Sequence, residues 1–180
     1  MLTRLVAPAS YPISLAEAKQ NIRRPDSEED AFWLGLIAEA TDVFDGKDGR
    51  LRRALITQTW QLTLPCFTSD IRLPLPPIQS VERVAYMDGD GVEQVLDSAE
   101  YRLAGEFLDP VSSWPSAAVR RDAVRIDFVA GYGDWSDVPE GIRKLLQAWV
   151  AYLDRNRGDE NVAEPQIIAS LTRQYSVPTL

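Results

Sequence analysis

The chain has 180 residues, 45% of them hydrophobic, with 19 Lys and Arg against 27 Asp and Glu, a formal net charge of -8 and no histidine. That length and apolar content suit one domain, or one domain with an appended substructure, and the acidity opposes the sequence-independent grip on phosphate that a dedicated nucleic-acid binder needs. Without histidine the commonest general base and metal ligand are both missing, and Cys66, the single cysteine, has no partner for an internal disulfide. Met1 to Ser10 carries Arg4 but no apolar run of signal-peptide length, and Leu145 to Leu153 falls well short of the roughly 20 apolar residues that span a bilayer. The expectation is a soluble protein, made in the cytoplasm, with no membrane partner.

Along the chain, Ser14 and Glu17 form a capping box, and Leu15, Ala18 and Ile22 follow at helical spacing until Pro25. Asp26 and Ser27 precede the acidic turn Glu28-Glu29-Asp30, which favours the positive end of a helix dipole. Trp33, Leu36, Ile37, Ala40, Val43 and Phe44 then keep a helical period, and the glycines of Asp45-Gly46-Lys47-Asp48-Gly49 supply a left-handed cap. From Leu55 the period changes to two: Ile56, Trp60, Leu62 and Leu64 alternate with Thr57, Thr59, Gln61 and Thr63. Further strands are expected at Ile71 to Leu73, at Val81 to Met87 with a return from Val92 to Leu96, at Tyr101 to Leu103, and at Val124 to Ala130. Pro139 suits a first helical position, and Ile142, Leu145, Leu146, Trp149, Val150 and Leu153 make the most regular apolar stripe in the chain, ending near Arg155 to Arg157. Beyond Gly158 a polar stretch, Asp159-Glu160-Asn161, leads to Pro165, Ile167, Ile168, Leu171 and Tyr175, expected to be an arm outside the core. Pro165 suits a helix start, and Ile168, Leu171 and Tyr175 would then share one face.

The residues that invite a chemical reading have simpler structural ones. Asp88-Gly89-Asp90-Gly91 has clustered oxygens but no closing bidentate glutamate, and between alternating flanks it is a hairpin turn. Gly131-Tyr132-Gly133 lacks the Lys-Ser/Thr of a phosphate loop and suits a strand-to-helix corner. No motif singles out a carboxylate pair for acid-base work, and Cys66 has no histidine to activate it. Trp33 and Trp149 lie on core stripes, whereas Trp114 and Trp135 fall in loops, where they are packing plugs or interface anchors.

The order of several short pieces resembles the head-tail connector (adaptor) family of long-tailed phages, including the related proteins of gene transfer agents. The pieces are Pro12-Ile13-Ser14-Leu15-Ala16-Glu17-Ala18-Lys19, the acidic helix start Asp26 to Asp30, and Arg53-Ala54-Leu55-Ile56-Thr57-Gln58-Thr59-Trp60, the most specific of them. They continue with Arg72-Leu73-Pro74, Pro77-Ile78-Gln79-Ser80-Val81, the Tyr86 to Gln94 hairpin, Ser113-Trp114-Pro115, Val124 to Gly133 and Val138-Pro139-Glu140-Gly141-Ile142-Arg143. Ile167 to Tyr175 is similar, more loosely, to the family's closing Leu-rich segment.

The resemblance implies an α+β protein with a core of two N-terminal helices (1–54) and one long C-terminal helix (134–158), a β-rich insertion (55–133) and a C-terminal docking arm (159–180). It implies a dodecameric ring in the virion neck, assembled in the host cytoplasm, that docks under the portal protein, receives a tail-completion or tail-terminator protein and continues the DNA channel without specific DNA binding. It carries over no catalytic residue, cofactor or metal. Ile167, Ile168, Leu171, Tyr175, Trp114 and Trp135 are the expected partner contacts. A net-negative wall that does not bind phosphate suits a DNA conduit, and two different complementary faces suit a closed ring. The alternatives are a tail terminator or head-completion stopper, which would not share this order of elements, and a small phage-encoded enzyme.

Overall fold

The computed structural model describes residues 1–22, 29–156 and 162–178. The chain forms two compact units: a β unit from Met1–Pro8 and Thr57–Gly131, and a helical unit from Ala9–Ile56 and Tyr132–Leu180. The fold class is the expected α+β. Leu2–Val6, which falls within the segment 1–54 expected to form the N-terminal core helices, is a strand of the β unit.

In the β unit, β1 (Leu2–Val6), β2 (Gln58–Leu64), β8 (Val124–Ala130), β4 (Ile78–Met87) and β5 (Glu93–Val95) form a five-stranded antiparallel sheet in that order. A second sheet orders β3 (Ile71–Arg72), β7 (Phe107–Pro110) and β6 (Tyr101–Ala104). The period-two pattern of β8 is a burial pattern: Val124, Ile126, Phe128 and Ala130 are fully buried while Arg125, Asp127 and Val129 are half-buried. Its register sets Phe128 against Trp60 and Ile126 against Leu62 on one face and Asp127 against Gln61 on the other, where the Gln61 Nε2 donates to the Asp127 carboxylate over 2.7 Å. Strand β7 has no signal in the sequence, because Phe107-Leu108-Asp109-Pro110 is too short to show a period and only Leu108 of it is buried.

The Asp88 turn closes the β4–β5 hairpin as expected. Its carboxylate accepts from the backbone N–H groups of Asp90 and Val92 and from the Gln94 side chain at 2.8–3.0 Å. These donors, Gln94 foremost, hold the carboxyl below its ordinary pKa.

In the helical unit, α1 (Leu15–Ile22) begins at the capping box: the Glu17 N–H donates to the Ser14 hydroxyl over 3.2 Å, and the Ser14 N–H donates back to the Glu17 carboxylate over 3.0 Å. Helix α2 (Asp30–Phe44) ends where the chain turns at Gly46, with a φ of 79°. A side chain at Gly49 would meet the Asp45 carbonyl oxygen at 2.3 Å, so that position requires glycine. Gly131 and Gly133, with φ of 124° and 135°, make the corner that carries the chain from β8 toward α3 (Glu140–Asn156). Trp33, Ile37 and Phe44 of α2 and Ile142, Leu145 and Leu146 of α3 are essentially fully buried in one core with Ile13, Leu51 and Leu55. Pro25, the turn residues Asp26 to Glu28 and the segment Arg157-Gly158-Asp159-Glu160-Asn161 lie outside the described residues. No helix among the described residues is long and apolar enough to cross a membrane.

Phe44 and Trp149 meet edge to face with ring centroids 5.3 Å apart. Truncating Trp149 to alanine therefore removes a large core side chain and an aromatic pair, and Trp149→Ala is expected to lower stability by about 3–5 kcal/mol in urea melts.

Candidate functional site

The six sequence-predicted contact residues fall into distinct environments. Pro165 precedes α4 (Gln166–Tyr175), the helix anticipated there. Its period divides adjacent isoleucines: Ile168 is fully buried, whereas Ile167 is 56% exposed. Ile168 belongs to the core of the helical unit, and Leu171 and Tyr175 pack against that core. This corrects the arm reading: α4 packs on α3 because Ile168, Leu171 and Tyr175 recur on one face, and an apolar face of that spacing is buried where a neighbouring helix offers one.

Polar contacts fix the same segment. The Arg53 Nε donates to the Tyr175 carbonyl over 2.6 Å, the Val177 N–H donates to the Leu51 carbonyl over 3.0 Å, and Arg50 pairs with Glu164 at 2.7 Å. The Arg50 guanidinium also lies 4.7 Å from the Trp149 ring centroid. The Tyr175 ring lies over Gly141 so closely that a Cβ there would sit 2.1 Å from the phenolic oxygen. Arg50, Leu51 and Arg53 are thus a clasp for the C-terminal helix, and Arg53, first residue of the most specific piece of the resemblance, has a structural task within the subunit.

Of the two loop tryptophans, Trp114 is a packing plug. It stacks on Phe67 with centroids 4.7 Å apart and planes 8° from parallel, and its indole N–H donates to the Thr68 carbonyl over 2.9 Å. Trp135 is 41% exposed in the turn before α3, with the Arg143 guanidinium 5.8 Å from its ring centroid. Arg143 in turn pairs with Glu17 at 2.9 Å. In that turn the Asp134 carboxylate accepts from the Ser136 hydroxyl and N–H, and these bonds hold its pKa below the ordinary value.

Exposed apolar side chains outside the predicted set mark further surface. Phe32 and Leu34 are 41% and 42% exposed on α2. The signal was present in the sequence: Ala31-Phe32-Trp33-Leu34-Gly35-Leu36-Ile37 is apolar all round, more than a one-sided helix requires, and Phe32 and Leu34 fall off its core stripe. Leu5 and Val6 on β1, and Val92 and Val95 at β5, are each about half exposed. Among the described residues no group of three Asp, Glu or Cys side chains is placed to hold a metal ion.

What the geometry defines is a two-unit α+β protein whose exposed apolar side chains are spread over several elements. Chains of the same fold occur in solved particles of gene transfer agents. A chain in the virion of a native gene transfer agent particle matches with a TM-score of 0.80 and 25% identity over 100% of this chain and 97% of that one. A chain in the neck of an empty particle, computed with C6 symmetry, matches at 0.81 and 24% over the same shares, and one in the neck of a native particle, computed with C12 symmetry, at 0.70 and 22%. No family model matches the sequence. No curated protein matches it either.

The two isoleucines of α4 provide a direct check. Ile168→Ala is expected to cost about 2–5 kcal/mol and Ile167→Ala no more than about 0.5 kcal/mol, both read from denaturant midpoints at constant m.

Proposed function

We propose that this chain is a non-enzymatic structural protein of a virion neck, a head-tail adaptor that forms a ring between portal and tail. The observation that carries the reading is likeness along the whole chain to a protein of a gene transfer agent virion, at 25% identity and a TM-score of 0.80. The neck structures computed with C6 and C12 symmetry support a ring, with twelve copies as the simplest count that accommodates both. In this reading one face of the ring meets the portal protein, the other receives a tail-completion or tail-terminator protein, and DNA passes through without specific binding. Trp135 and Ile167, both exposed on the helical unit, are the partner contacts, while Ile168, Leu171 and Tyr175 hold α4 to the core.

The acidity of the chain fits a conduit. A net charge of -8 gives no general attraction for phosphate. The purified protein should therefore produce no shift of duplex DNA at micromolar concentration and physiological salt.

Cryo-electron microscopy of the protein mixed with its portal ring tests the assembly. The expected result is added density for twelve subunits under the portal. Particles with bare portals at saturating protein would sink the adaptor reading. Trp135→Ala together with Ile167→Asp should reduce occupancy of the portal at least tenfold while the melting temperature stays unchanged.

A further inference from the structure

We infer that the five-stranded sheet continues from one copy of this chain to the next through a joint between β1 of one subunit and β5 of its neighbour. The inference rests on the ring reading above and goes beyond it by naming the surfaces that meet. Strands β1 and β5 are the two edges of the sheet, and neither has a second strand neighbour among the described residues. An edge strand carries a row of backbone donors and acceptors open to another chain.

Natural edges are usually blunted by charge or proline; these keep exposed apolar side chains beside their charged ones, Arg4 on β1 and Glu93 on β5. Leu5 and Val6 are 49% and 56% exposed on one edge, and Val92 and Val95 are 55% and 58% exposed on the other. The ladder register places two of them on the same side of the sheet. Val6 stands opposite Thr59, whose partner is Val129, and Val95 stands opposite Ala85, whose partner is Arg125. Val129 and Arg125 are both on the half-buried, partly polar side of β8, so Val6 and Val95 also lie on that side. A sheet continued across the joint would bring these two valines together without turning either strand over.

Direction and extent agree as well. Every pairing from β1 to β5 is antiparallel and there are four of them, so β1 and β5 run the same way. Repetition of one subunit by rotation alone then sets β5 beside the next β1 in parallel, whereas a two-fold β1–β1 contact would be antiparallel and would end in a dimer. Strand β1 has five residues, and the hydrogen bonds Asp88 N–H to Val92 O and Leu96 N–H to Val84 O extend the return strand beyond Glu93–Val95 at both ends. Charge also distinguishes the two edges. Strand β1 bears Arg4 as its one ionisable side chain, while the turn into β5 bears Asp88 and Asp90, and Glu93 of β5 pairs with Arg83 and Arg125. Unlike edges favour a head-to-tail joint over self-pairing of either one.

The test uses the full chain in a Cys66→Ser background, since Cys66 is exposed and is the one native cysteine. Val6→Cys and Val95→Cys are introduced together, rings are assembled on the portal, and a short thiol-specific bifunctional reagent is added. The expected result is a ladder of covalent multimers up to the full ring, with each single-cysteine variant remaining monomeric on a denaturing gel. In a second arm, Val95→Lys is expected to abolish ring formation with an unchanged melting temperature. Normal rings without a ladder, dimers from Val6→Cys alone, capture of another neck protein by either cysteine, or intact rings from Val95→Lys would each overturn the joint and leave the ring reading in place. Absence of any ring from the unsubstituted chain on its portal would overturn the ring reading and the joint with it.

Discussion

The helical unit depends on one seam between parts of the chain that are far apart in sequence. Phe44, at the end of α2, meets Trp149, in the middle of α3, and the Arg50 guanidinium lies 5.7 Å from the first ring and 4.7 Å from the second. Between these partners the chain makes the whole of the β unit apart from β1. Closing so long a loop costs entropy that local helix propensity cannot offset, so the helical core has to recover it through buried apolar area at this seam. That explains why the most regular apolar stripe of the chain is on α3. This helix returns to a core begun about a hundred residues earlier and has to be recognised by it.

Arg50 makes the seam a three-way junction. Its aliphatic stem and cationic head cover two aromatic rings while the guanidinium pairs with Glu164. With Arg53 on the Tyr175 carbonyl and Leu51 on the Val177 N–H, three positions within four residues fix where α4 lies. The helical surface is thereby set: Ile168 goes inward, and Ile167, one residue earlier and about 100° around the helix, must go outward. An exposed isoleucine beside a buried one is a geometric consequence of that docking.

Much of the architecture was legible from periodicity and caps. The Ser14–Glu17 box, the stripes of α2 and α3, the alternation of β8 and the Asp88 turn each have a local cause, because hydrogen bonds within a few residues and burial of one face suffice to select the conformation. The candidate contacts were less legible. Trp114 and Trp135 look alike in sequence, each a tryptophan in a polar loop, yet Phe67 and the Thr68 carbonyl absorb the first while the second keeps 41% exposure. Nothing near Trp114 in sequence announces Phe67, which is brought to it by the sheets.

By itself the sequence determined the α+β class, the order of helices and most strands, and the acidic, histidine-free composition. Those properties follow from composition and from interactions spanning a few residues. Tertiary structure alone decided that Leu2–Val6 adds to the sheet as an edge, since a strand of five residues has no identity until β2 supplies its hydrogen-bond partners. It also decided that the expected arm is core, because whether Ile168, Leu171 and Tyr175 bind a partner or their own subunit depends on whether α3 leaves a groove and a glycine where Tyr175 can rest. An apolar face specifies that it will be buried; only the packed neighbours specify against what.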